Sequence, residues 1–284
     1  MAKNTVPSKE AVKGAYKLRL AKLLPYGMLA TKKWLAECGV SVHALDNAVK
    51  TGALLSLGTG VYSQYSRSLG WEGVVASLQK MEKSDAEKLP PVIVGGLSAL
   101  ALSGLAQYLS IGGNPHIHLY AEGKLPAWLR RLSLSMEFER HGTSRLWPEW
   151  LLQEKKFVKT HEWQESLPPV HYSCPEKAIL EVLMDLPDAV TFEHADELMQ
   201  GLVNLSPRKL DTLLSACKSV KVKRLFFWLA KRHAYPWFNK LNSANYDLGS
   251  GKRLLEKGGK LDTDFLITVP AHMASRIGVG GNQR

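Results

Sequence analysis

Several things are scarce in this 284-residue sequence, and each shortage excludes something. Cysteine appears three times, as Cys38, Cys174 and Cys217, far apart and odd in number. That leaves neither a disulfide framework nor the paired spacing of a structural zinc site, and it suits a reducing cytoplasm. Unbroken apolar runs are also missing. The longest, 90–109, is interrupted by Gly95, Gly96, Ser103 and Gly104, so it reads as a strand and a buried helix rather than a membrane span. The opening MAKNTVPSKEAVK lacks the apolar centre of a secretory signal. Internal repeats and low-complexity tracts are absent too. A soluble, cytoplasmic chain is the expectation, with no cofactor or metal assigned.

What is present is ordinary globular material, 45% hydrophobic and 22% charged, long enough for two domains. The net charge of +11 is unevenly spread. Residues 1–70 hold 10 Lys/Arg against 3 Asp/Glu, and residues 201–284 hold 15 against 5. Between them, residues 151–200 hold 4 against 10. Two basic ends around an acidic middle point to polyanion-facing surfaces or to an acidic partner.

The basic N-terminal part carries the clearest pattern. A helix is expected from Lys9 to Leu24, closed by Pro25-Tyr26-Gly27. Thr31 can cap a short helix that turns Trp34 and Leu35 inward. Cys38-Gly39-Val40 is a turn, and Ser41 caps a second helix to Thr51 with Val42, Leu45, Ala48 and Val49 on its inner face. Two β-prone runs, 53–57 and 61–65, flank Gly58-Thr59-Gly60 as a hairpin. Helix, tight turn, helix and hairpin is the order of a winged helix–turn–helix domain, here 1–68. Its second helix would present Ser41, His43, Asn47, Lys50 and Thr51 to double-stranded DNA, where asparagine pairs with adenine. Lys32 and Lys33 at the preceding helix start, Thr59 at the hairpin tip and Arg67 beyond it complete the expected contacts. Modules of this shape also bind proteins, which stays open at this stage.

Residues 69–90 read as a connecting helix and linker, with Trp71, Val74, Val75 and Leu78 inward. Residues 91–270 form a mixed α/β domain, making the chain α+β, and 271–284 a flexible tail. The second domain opens with an apolar strand, Gly95-Gly96 and a helix, the order that opens a nucleotidyltransferase palm. Such enzymes place alternating carboxylates on the next strand. Here that strand reads Asn114-Pro115-His116-Ile117-His118-Leu119, with histidines instead. Hard magnesium wants oxygen ligands, and for zinc no third ligand stands at a telling spacing. A non-catalytic scaffold follows. The enzymatic alternative needs carboxylates from elsewhere, such as Asp185, Asp188 or Glu193. Further β-prone runs are 117–120, 133–138 and 155–160, followed by four helices beginning at Ser173, Phe192, Ser206 and Val220.

Three smaller signals resolve into structure. Gly249-Ser250-Gly251-Lys252-Arg253 lacks phosphate-loop spacing and reads as a basic turn. His171 and Cys174 invite a nucleophile–base reading, yet Ser173-Cys174-Pro175-Glu176 fits a capping box, with Ser173 as cap and Glu176 reaching back. In the helix after Val220, Val222, Leu225, Phe226 and Leu229 form the buried stripe. Lys221, Lys223, Arg224, Trp228, Lys231 and Arg232 then read as a solvated basic face, with the tryptophan favouring a binding role.

In order along the chain, these motifs resemble the AbiEi-like antitoxins of bacterial abortive-infection, type IV toxin–antitoxin systems. The resemblance spans roughly 9–270. It rests on the N-terminal unit, Gly95-Gly96-Leu97-Ser98-Ala99-Leu100, and Ser173-Cys174-Pro175-Glu176-Lys177-Ala178. Lys223-Arg224-Leu225-Phe226, the glycine-rich basic turn and Ile267-Thr268-Val269-Pro270 add to it. It implies a non-enzymatic repressor of its own operon that binds inverted repeats as a dimer or as cooperating monomers. It also implies a C-terminal domain that counters a nucleotidyltransferase toxin without a stable complex. The basic helix residues, with Lys252 and Arg253, would be the antitoxin surface.

Overall fold

The computed structural model describes residues 20–64, 69–83, 85, 87–105 and 116–274. Most of the first expected helix, Arg67, Asn114, Pro115 and the tail beyond residue 274 lie outside them. The architecture is mixed α and β, with sheets of three, five and two strands. The chain divides into two compact units. The first holds residues 1–84 with the segments 125–136 and 162–170; the second holds the remainder.

In the first unit, β1 (Leu29–Thr31) leads into α1 (Lys32–Glu37), and α2 (Val42–Lys50) follows after a short turn. Both caps act as their residue types dictate: Thr31 Oγ1 accepts from Trp34 N at 3.2 Å and Ser41 Oγ from Ala44 N at 3.2 Å. Gly39 supplies the positive φ of +81° in the turn. The hairpin strands are β2 (Leu55–Gly58) and β3 (Val61–Ser63), with Gly60 at φ +73° between them. β1, absent from the sequence reading, pairs antiparallel with β3 and makes the sheet order β1-β3-β2. α3 (Trp71–Glu82) is buried along most of its length, Gly73 to Gln79. Gly73 is there for space: a Cβ would lie 1.9 Å from the Gly27 carbonyl oxygen.

The second unit is built on the sheet β6-β5-β4-β8-β7. Its strands are β4 (Val92–Val94), β5 (His116–Ala121), β6 (Glu137–Gly142), β7 (Val158–His161) and β8 (Val170–Ser173). β4 runs antiparallel to β5 and parallel to β8, and β5 runs parallel to β6. Gly95 caps α4 (Gly96–Leu100), and a short α5 (Glu149–Leu152) precedes β7. Four helices follow: α6 (Pro175–Met184), α7 (Phe192–Gly201), α8 (Pro207–Ala216) and α9 (Val220–His233). α6 packs against α4, α7, α8 and α9, so it is the hub. A hairpin of β9 (Lys260–Asp262) and β10 (Ile267–Val269) closes the described chain.

The capping-box expectation is off by one residue. Cys174 is the cap, Pro175 the first helical residue, and Ser173 the last residue of β8. Ser173 and Glu176 spend their side chains elsewhere, on Glu181 Oε1 at 3.1 Å and Ser206 N at 2.9 Å. Cys174 is fully buried and its thiol is pushed up to about 12, chiefly by burial, so it packs rather than reacts.

Candidate functional site

Three places concentrate chemistry: the outer face of α2, the turn around Gly95, and α9. On α2, Leu45 and Ala48 face the core and Val49 lies half-buried, while His43, Asp46, Asn47 and Lys50 are exposed. Val42 is a correction. Expected inward, it is 51% exposed, because the first residue of the helix projects past the end of the packed face. His43 Nε2 and Asn47 Nδ2 are 3.0 Å apart on successive turns. Thr51 Oγ1 donates to Asn47 O at 2.9 Å and helps close the helix. Lys32 and Lys33 are exposed at the start of α1, Lys33 3.9 Å from Glu37. Lys32 N donates to Gly60 O at 2.8 Å, which fixes exposed Thr59 at the hairpin tip beside that helix start. Lys32 and Thr59 are thus neighbours at the start of α1, while His43, Asn47 and Lys50 are exposed together on the outer side of α2, with Ser41 at its cap. Val42, expected inward, and Asp46, which carries no expectation, are exposed on the same side of α2.

At Gly95-Gly96 the strand–turn–helix order stands, but its anion-binding amide is already used. Gly96 N donates to Glu181 Oε2 at 3.0 Å. Glu181 is fully buried; burial raises its carboxyl, while Lys177 at 3.6 Å, the Gly96 amide and the Ser173 hydroxyl pull it back. Tyr120 lies over both glycines: a Cβ on Gly95 would stand 2.3 Å from Tyr120 Cδ2. Its hydroxyl is pushed far up, by burial first and then by nearby carboxylates, Glu181 foremost. Beside it, His141 stacks on Tyr120 at 4.7 Å and meets His118, with Nδ1 of His118 2.9 Å from Nε2 of His141. Burial first, then neighbouring His141, lowers His118; burial also opposes charging of His141, yet Asp185 and Glu139 outweigh it and raise that ring. The fold separates the two histidines that alternate in sequence. His116 stays at the rim against Glu137 at 3.6 Å, and His118 is taken inward.

The basic face expected on α9 is mostly not a face. Lys223, Arg224 and Trp228 are 4%, 1% and 4% exposed, because α9 is buried along its whole middle, Val222 to Ala230. The periodicity missed this, since it assigned the polar side of the helix to water. Arg224 instead latches the glycine-rich turn: Nε to Leu248 O and Nη1 to Gly251 O at 2.7 Å, and Nη2 to Gly249 O at 3.1 Å. Lys221 Nζ donates to Met184 O at 2.6 Å and Leu186 O at 2.7 Å, holding the end of α6. Arg232 binds Asp196 at 3.0 Å and lies over Trp228, whose ring meets Phe192 edge-on. Lys231 is exposed but paired with Asp264; Lys252 and Arg253 are exposed.

One family model, described as "Transcriptional regulator, AbiEi antitoxin N-terminal domain", matches residues 16–111. A second, "Transcriptional regulator, AbiEi antitoxin, Type IV TA system", matches residues 114–270. The chain belongs to the AbiEi antitoxin family. No curated protein matches it. Among solved structures, the crystal structure of RV2827C protein from Mycobacterium tuberculosis is similar at 16% identity, covering 93% of this chain and 92% of that one with a TM-score of 0.49. Among the described residues of this AbiEi family member, no helix is long and apolar enough to cross a membrane.

Proposed function

We propose that this antitoxin is an autorepressor whose first unit is a winged helix–turn–helix that reads operator DNA through α2. The observation that carries the reading is the exposed face of α2, where Val42, His43, Asp46, Asn47 and Lys50 stand clear of the core. A recognition helix enters the major groove with its N-terminal residues at the base edges. Asn47 then pairs with adenine, Val42 meets a thymine methyl, and Asp46 accepts from cytosine. Lys32, Lys33, Lys50 and Thr59 would contact phosphates; Arg67, expected to do the same, lies outside the described residues. Ser41 and Thr51 act as helix caps first, with contact to DNA secondary. The basic excess of residues 1–70 supplies the salt-dependent part of the affinity.

The second unit counters a nucleotidyltransferase toxin. Its own Gly95-Gly96 turn is a poor phosphate cradle, because Glu181 already occupies the Gly96 amide and Tyr120 covers the glycines. That favours a non-enzymatic role over nucleotide transfer. Of the expected antitoxin surface, Lys231, Lys252 and Arg253 are the members available to a partner.

The test is a gel-shift titration with the protein's own upstream DNA and scrambled DNA at two salt concentrations. Asn47→Ala should cost ~1–3 kcal/mol on the operator alone, and Lys50→Ala should weaken both DNAs and lower the salt slope by about one. Equal losses on both DNAs for Asn47→Ala would remove its base-reading role. Absence of any binding at low salt would overturn the DNA reading.

A further inference from the structure

β5 and β6 run parallel in register, with His118 opposite Glu139 and Tyr120 opposite His141. Alternate residues of a strand share a face, so His118, Glu139 and His141 project together although 23 residues separate the two histidines. Their donor atoms all lie within 4.8 Å of one another. His118 Nδ1 and His141 Nε2 are 2.9 Å apart, and the Glu139 carboxylate approaches them at 3.6 and 3.7 Å. Ligand atoms each about 2.0–2.1 Å from one tetrahedral ion stand about 3.3 Å from each other; the two nitrogens lie a little closer than that, and the nearest carboxylate oxygens, Oε2 to His118 and Oε1 to His141, a little beyond it.

We propose that His118, Glu139 and His141 bind a divalent transition-metal ion of the zinc class, with Asp185 orienting His141. A single hydrogen bond between imidazoles explains the short nitrogen–nitrogen distance. It leaves unexplained why one carboxylate approaches both ring nitrogens. It also leaves unexplained Asp185, whose Oδ2 lies 3.3 Å from the other nitrogen of His141. A carboxylate behind a ligating imidazole holds the proton on the far nitrogen and turns the near lone pair to the ion. The stacked Tyr120 ring fixes the plane of His141. Glu139 is half-exposed, which leaves water a way to a fourth position. Two imidazoles and one carboxylate favour zinc over magnesium, which prefers an all-oxygen shell. The ion would join the edge strand β6 to β5 and, through Asp185, to the end of α6.

The experiment is calorimetric titration of the chelator-stripped, untagged full chain with zinc chloride alone and, separately, magnesium chloride. Cobalt(II) is added as a spectroscopic probe. One zinc per chain is expected, with cobalt bands of a low-coordinate ion and no response to magnesium. Saturating zinc should raise the melting midpoint by roughly 5–10 °C. His141→Ala and His118→Gln should each weaken binding at least 100-fold, and Asp185→Asn roughly 10–100-fold. His116→Ala, a change at the rim pair with Glu137, should leave binding unchanged. If His141→Ala does not fold, His118→Gln carries the test, with circular dichroism of the metal-free form confirming its fold. No stoichiometric zinc binding by the wild type, or binding that survives in a folded His118→Gln variant, overturns the proposal. None of these readouts depends on DNA, so failure here leaves the operator reading untouched.

Discussion

Glu181→Gln removes one charge from the least accessible ion pair described in the protein, and the structure sets its cost. Lys177 and Glu181 lie 3.6 Å apart with side chains 3% and 0% exposed. An amide keeps the hydrogen bonds: its carbonyl accepts from the Gly96 amide and its NH2 donates to the Ser173 hydroxyl, where Glu181 now bonds at 3.0 and 3.1 Å. What is lost is the counter-charge of Lys177. The buried ammonium must then stay charged without a partner or give up its proton. Breaking a buried pair from one side typically costs about 3–5 kcal/mol, so a loss of about 3–4 kcal/mol is expected. Adding Lys177→Met removes both charges and should recover most of the loss. The assay is denaturant unfolding followed by tryptophan fluorescence and circular dichroism, with a separate transition allowed for each compact unit. A deficit below about 1 kcal/mol, or a double variant no better than the single, would refute this account.

Arg224→Lys keeps the charge but loses the planar fork that holds three turn carbonyls, and should cost about 2–4 kcal/mol by thermal melt. Gly95→Ala pushes a methyl into Tyr120 and the buried Glu181 carboxylate rather than into a forbidden backbone shape; a loss of about 1–3 kcal/mol should be eased only in part by Tyr120→Leu in the same chain. Asp196 is held down to about 2: burial opposes its charge, but hydrogen bonds from His233 and Arg232 outweigh it. Its contribution is therefore present above pH 4 and lost as pH falls towards 2. Screening at this half-open site reduces it to about 1 kcal/mol, and the acid limb of Asp196→Asn should be flatter by that amount. Asp46→Ala removes the acid from the exposed face of α2, so it should tighten binding to scrambled DNA in gel shifts while narrowing its gap to the operator.

Local signals were read well from sequence where one element's own residues decide its shape. The caps Thr31 and Ser41, the turn at Gly39, the hairpin around Thr59-Gly60 and the span of α9 all follow from cap chemistry, glycine at positive φ and apolar periodicity. Boundaries slipped where a neighbouring element competes for a side chain. Ser173 reads as a cap on its own helix, but buried Glu181 claims its hydroxyl. The strand expected over 133–138 lies at Glu137–Gly142, where pairing with β5 fixes it.

By itself the sequence determined the α-and-β content, the family and the identity of the residues on α2. What only the tertiary structure decided is which polar residues meet water and which meet each other. Arg224 and Trp228 belong to a stripe that periodicity assigns to solvent, yet α9 is buried from Val222 to Ala230. The segments 125–136 and 162–170 join the first unit although they follow the start of the second in sequence. His118 and His141 carry no spacing signal, because parallel strand register, not sequence distance, brings them together. A helix face repeats within a few residues and can be read locally. Strand partnership and burial are set by what packs from far along the chain, and the sequence alone does not state that.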